Sequence, residues 1–195
     1  MMKKKFLNLI FIYAIYLFLS SCGLEQGYIN GFKSEFACPP DELTLEDLGF
    51  TETWHKEQEN TQFYYVLDPY DQVISLDFPS TFMLTDFNLI TCLKNLQRLK
   101  IEDQNQLKIT ENIGNLNELE ELYLDNNSLQ TLPKNIAKLQ RLKILSLKNN
   151  HFKTLPDLSA LKELNFVVLS ENPWSEEFLA KISDYFSVHT KVILE

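Results

Sequence analysis

Glycine is scarce in this chain, with 5 among 195 residues, and no G-x-G-x-x-G, G-x-x-x-x-G-K or G-x-S-x-G run occurs. The backbone loops that cradle phosphates, and the sharp turn that presents a nucleophilic serine, are therefore missing. Histidine is rarer still: His55, His151 and His189 are scattered without H-E-x-x-H spacing, and each reads as a surface or turn residue. The three cysteines, Cys22, Cys38 and Cys92, form no C-x-x-C pair, so no zinc spacing is present and no metal is expected. Cations are outnumbered, 18 Lys and Arg against 27 Asp and Glu, for a formal net charge of -9 with no basic cluster to offset it. Nucleic acid would be repelled.

What the chain has is leucine at fixed intervals. Set under one another, Leu116, Leu119, Leu122, Leu124, Asn127, Leu129, Leu132, Pro133 and Ile136 recur as Leu139, Leu142, Leu145, Leu147, Asn150, Phe152, Leu155, Pro156 and Leu158, about 23 residues later. Leu161, Leu164, Val167, Leu169 and Asn172 follow. A copy from Leu93 keeps Leu96, Leu99, Ile101, Ile109 and Ile113 in register. There Gln104 and Gln106 replace the asparagine and leucine, and Asn105 with Leu107 would restore them after a one-residue shift. Further back, Val73, Leu76, Phe78 and Met83 mark a degenerate first copy. This pattern resembles the leucine-rich repeat family, whose L-x-x-L-x-L-x-x-N-x-L signature has a period of about 20 to 29 residues.

The resemblance implies an α/β solenoid with one short parallel strand per repeat. The residues supply the reasons. In Leu122-Tyr123-Leu124 the period-2 alternation sends both leucines inward and Tyr123 outward, with Glu121 and Asp125. Asn127, Asn150 and Asn172 offer short amides to satisfy backbone groups at the turn after each strand. The Leu-Pro steps at Leu132 and Leu155 send the chain back along the convex side. No repeat can bury its leucines alone, so the units must stack.

At the other end, Lys3, Lys4 and Lys5 precede an apolar stretch from Phe6 to Leu19, which reads as an export signal. An uncleaved membrane helix would need nearer ~20 apolar residues. Leu19-Ser20-Ser21-Cys22 resembles the bacterial lipobox, which implies that Cys22 becomes a lipidated first residue with at least two acyl chains. Two chains suffice for stable anchoring. Loss of residues 1–21 removes three lysines and no acid, taking the net charge from -9 to -12.

The expected layout is a signal peptide at 1–21, a lipidated tether at 22–40 and a mostly helical N-terminal cap at 41–69. Repeats follow at 70–174, divided as 70–92 (degenerate), 93–115, 116–138, 139–160 and a partial 161–174. A C-terminal cap occupies 175–195. In it Ser175 to Phe186 reads as an amphipathic helix with Phe178, Leu179, Ile182, Tyr185 and Phe186 on one side, and Val188 to Leu194 as a short final strand. Cys38 and Cys92 are a candidate disulfide, closing a loop worth roughly 4 kcal/mol on the chain-entropy estimate; the alternative is two unpaired thiols, one of them buried.

With every segment assigned to leader, tether, cap or repeat, no enzyme is expected and no cofactor beyond the covalent lipid on Cys22. Function then falls to the outward strand positions: Arg98, Lys100 and Glu102; Glu121, Tyr123 and Asp125; Ile144, Ser146 and Lys148; Phe166, Val168 and Ser170. Arg98 should face Glu121 and Asp125 should face Lys148 across the sheet. That leaves an apolar patch of Tyr123, Ile144, Phe166 and Val168, of the kind enriched in binding hot spots, although the same residues favour strands anyway. Five short strands project only ~240 Å², against ~800 Å² per partner in a standard interface, so flanking loops or caps must join in a strong contact. The expectation is a monomeric, lipid-anchored protein of the bacterial cell envelope that binds a protein or glycan ligand. Gly23 in place of aspartate after the cysteine is similar to the sorting signal of some bacterial lipoproteins, a resemblance that implies the outer membrane, facing the periplasm or the cell surface. The alternatives are a structural envelope component without a dedicated partner and, behind it, a hydrolase with a cryptic site.

Overall fold

The computed structural model describes residues 64–195 apart from 71, 79–86 and 105. The expected signal peptide, the tether with Cys22 and Cys38, His55, Met83 and the helical cap at 41–63 lie outside the described residues.

Seven strands form one sheet in chain order: β1 (Tyr64–Leu67), β2 (Val73–Phe78), β3 (Arg98–Ile101), β4 (Glu121–Tyr123), β5 (Ile144–Ser146), β6 (Phe166–Val168) and β7 (Lys191–Ile193). From β2 onward every pairing is parallel, and Leu76, Leu99, Leu122, Leu145, Val167 and Val192 stand side by side along one row. The first five of these are fully or almost fully buried. Stacked coils therefore share one continuous core, which also takes in Leu96, Leu119, Leu142 and Leu164 before the strands and Ile101, Leu124, Leu147 and Leu169 at or after their ends.

The turns after β3, β4, β5 and β6 each carry a residue at positive φ: Asp103, Asn126, Asn149 and Glu171, at 50 to 58°. Asparagine and aspartate tolerate this left-handed region better than most residues. The next residue is the amide of the ladder. Asn150 donates through Nδ2 to the carbonyls of Leu124 (2.8 Å), Leu147 (3.1 Å) and Lys148 (3.2 Å), and its Oδ1 accepts the Leu129 N–H at 3.1 Å. Asn127 and Asn172 repeat the arrangement one coil to either side. Gln104 is buried at the same place, directly after Asp103, so the register is not shifted there. The slip comes afterwards: Gln106 is exposed, and Leu107, one residue late, packs against the core in place of the expected leucine.

The convex side is built of 3-10 turns, Glu111–Asn115 and Lys134–Lys138. A 23-residue coil that spends residues on a strand, an asparagine turn and a Leu-Pro step has room for little more. Gly114 sits where these turns touch, and a Cβ on it would lie 2.9 Å from the Asn135 carbonyl oxygen. Residues 64–67, expected to end a mostly helical cap, are instead β1, antiparallel to β2; Tyr-Tyr-Val is an aromatic and β-branched run that suits an extended pleat. The long amphipathic helix is a five-residue α-helix, Glu176–Ala180, broken at Lys181 and followed by a 3-10 turn at Ile182–Tyr185. The break rotates Leu179 outward to 42% exposure, while Phe178 and Phe186 stay in the core. Trp174 stacks on Phe178 at 4.7 Å and donates its indole N–H to the Leu169 carbonyl at 2.8 Å, and Phe178 meets the Tyr185 edge at 4.9 Å.

Cys92 is buried and disulfide-bonded.

Candidate functional site

The strand register fixes which outward side chains are neighbours. One row across the concave face reads Ser75, Arg98, Glu121, Ile144, Phe166, Lys191; the next reads Asp77, Lys100, Tyr123, Ser146, Val168, Ile193. Arg98, Lys100, Glu121, Tyr123, Ile144, Phe166 and Val168 lie in these two rows, and Asp125 and Lys148 follow β4 and β5 at the C-terminal rim.

The β2–β4 end is charged and internally paired. Arg98 donates from Nη1 to Glu121 Oε2 at 2.9 Å, as expected, and from Nε to Asp77 Oδ1 at 3.4 Å. Its guanidinium carbon lies 4.9 Å from the centre of the Tyr123 ring, and the Tyr123 hydroxyl donates to the same Glu121 oxygen at 3.1 Å. Burial works against the Arg98 charge, but the Asp77 carboxylate and its hydrogen bond outweigh it and leave the guanidinium pKa raised. Tyr123 is also raised, first by burial and then by its hydrogen bond to Glu121. Lys100 pairs with Glu102 at 2.9 Å along its own chain. Asp77 is the member of this cluster that sequence reasoning missed; it lies in the degenerate copy, two residues from the Ser75 that stands opposite Arg98.

The expected side-chain pair between Asp125 and Lys148 does not form. Asp125 Oδ1 accepts from Ser146 Oγ at 2.6 Å and from the Lys148 backbone N–H at 2.9 Å, and Lys148 Nζ turns to Glu171 Oε1 at 3.0 Å. A short carboxylate reaches the adjacent backbone more readily than the end of a long lysine. Ser146 and Ser170, expected to face outward, are buried, being too small to rise above their neighbours.

The β5–β7 end is apolar. Phe166, 45% exposed, lies between Ile144 and Lys191, and Val168 lies between Ser146 and Ile193. Ile193 joins the patch without having been singled out in the sequence, because a final strand of three residues gives little periodicity to read. A depression of about 170 Å³ at the other end is lined by Val66, Ile74, Ser75, Gln97, Arg98, Glu120 and Glu121. Small-molecule pockets run to roughly 300 Å³ or more.

Among the described residues no group of three or more His, Cys, Asp or Glu side chains is placed to hold a metal ion, and no helix is long and apolar enough to cross a membrane. His151 and His189 are both exposed.

Comparison with known proteins shows what the architecture is similar to. The leucine rich repeat family model matches residues 114–173. Among solved structures, a leucine-rich-repeat protein from Leptospira interrogans is similar at 29% identity and a TM-score of 0.53, over 63% of this chain and 35% of that one. A plant ice-binding protein is similar at 21% identity and a TM-score of 0.54, over 78% of this chain and 52% of its own, and shows the shared fold. An internalin from Listeria monocytogenes matches at 18% identity and a TM-score of 0.47, over 57% and 32%. The chain thus spans about a third to a half of the length of these proteins. No curated protein matches it. Leucine-rich repeats generally mediate protein binding and are typically non-enzymatic.

Proposed function

We propose that this chain is a lipid-anchored protein of the bacterial cell envelope that binds another protein, or a glycan, across the concave face of its sheet. The observation that carries this reading is the division of that face. Arg98, Glu121 and Tyr123 satisfy one another at one end, while exposed Phe166 and half-buried Ile144 and Val168 present apolar surface at the other. An apolar patch bordered by fixed, oriented charges has the composition of a binding hot spot and its polar rim. Lys100, Asp125 and Lys148 belong to that rim.

Anchoring rests on the leader and on Cys22, with the outer membrane as destination. The lipid on Cys22 is the one prosthetic group in this reading. Cys38 is the partner of Cys92 in it, since lipidation at Cys22 leaves Cys38 as the remaining cysteine. Replacing Tyr123 and Phe166 together by alanine tests the face. Pull-down of the envelope partner is expected to fall at least tenfold with no loss of the folded chain; unchanged recovery would remove the concave face from the account. Cys22→Ser tests the anchor, with loss of acyl labelling and release from membranes as the expected result.

A further inference from the structure

We propose that β7 is a self-complementary edge at which two copies of this chain join, antiparallel and about a two-fold axis at Ile193, so that their sheets become one. β7 is the outermost strand of the sheet among the described residues. Lys191 donates its backbone N–H to Asn165 and Ile193 accepts at its carbonyl from Leu169, so the odd-numbered residues bond to β6. By alternation the backbone groups of Val192 and Leu194 point away from the sheet.

An antiparallel copy that bonds to those outward groups, with Val192 opposite Leu194 of the second copy, places Ile193 opposite itself and Lys191 opposite Glu195. Both charges are then met twice by symmetry. Lys191 and Ile193 belong to the two concave rows already described, so the apolar run from Val168 to Ile193 continues directly into Ile193 and Val168 of the second copy. On the other face Leu194, 43% exposed, comes to lie beside Val192. One register therefore satisfies the edge backbone, pairs both charges and covers an exposed leucine, which is what identifies a second copy as the occupant. The binding face would double in width, in place of the monomer that the sequence suggested.

The test is oxidative cross-linking of the full chain on intact membranes. In this register the two Ile193 Cα atoms form a non-hydrogen-bonded pair ~4.5 Å apart, inside the span of a disulfide. Lys191 and its own copy are separated by four residues, about 13 Å. Ile193→Cys is expected to give a covalent dimer at least tenfold above Lys191→Cys. Adding Lys191→Glu to Ile193→Cys should abolish the dimer, and adding Glu195→Lys as well should restore it. Both charge positions are exposed and leave the core untouched, so an unchanged unfolding transition marks each variant as folded. No dimer from Ile193→Cys, equal yields at 191 and 193, or indifference to the charge reversal would each overturn the proposal.

Discussion

At the scale of single residues, the asparagine ladder matters more than its count suggests. Asn150 is 3% exposed and satisfies three carbonyls and one N–H that belong to two adjacent coils. Asn150→Ala leaves those groups unpaired where water has little access, and is expected to cost about 3 kcal/mol, read as a lowered midpoint in urea. Asn117→Ala, on the surface, should shift it by less than ~0.5 kcal/mol. Tyr123 gives a second residue-level test. Burial and the Glu121 hydrogen bond raise its phenol, so the folded chain keeps a proton that the unfolded chain loses near pH ~10. The stability this contributes is complete below that pH and is lost as pH rises through the folded value. Subtracting the alkaline absorbance titration of Tyr123→Phe from that of the native chain should isolate a phenol ionising above the ordinary tyrosine range, and Glu121→Gln should bring it down.

At the scale of elements, the 3-10 turns of neighbouring coils are locked by small contacts. Glu111 accepts the Asn135 N–H at 2.9 Å and the Lys134 N–H at 3.3 Å, while the Asn135 amide returns a bond to the Glu111 carbonyl at 3.0 Å. Gly114 is the close approach between them. Gly114→Ala would drive a methyl group against the Asn135 backbone and is expected to destabilise by about 1–3 kcal/mol, checked by thermal unfolding. The strands and their leucines were legible in the sequence because burial on one face imposes a period of 2, and the asparagines because a short amide can both donate to and accept from a turn backbone. The convex turns were not legible, since 3-10 and α geometry use the same residues over five positions. Leu107 was ambiguous because the slip after Gln104 spans a single residue. At the face, Arg98 and Glu121 could be paired from register alone, whereas Asp125 and Lys148 could not, because the Ser146 hydroxyl and the Lys148 backbone N–H are the donors that take the Asp125 carboxylate.

At the scale of the whole molecule, the core is one continuous file of leucines, and no chemistry is set into it among the described residues. The aromatic stack of Trp174, Phe178 and Tyr185 closes one end of the file, and the β1–β2 hairpin begins the other. Between them the sheet offers a graded surface, charged and self-satisfied near β3 and apolar near β6. The central claim is that recognition happens on that surface and not on the convex turns. A photo-cross-linking amino acid placed at Ile144, in the middle of the concave face, or at Lys134, on an exposed convex turn, tests it directly in intact cells. Adducts to a second envelope molecule at position 144 and none at 134 are the predicted result. Adducts at 134 alone, or equal adducts at both, would contradict it.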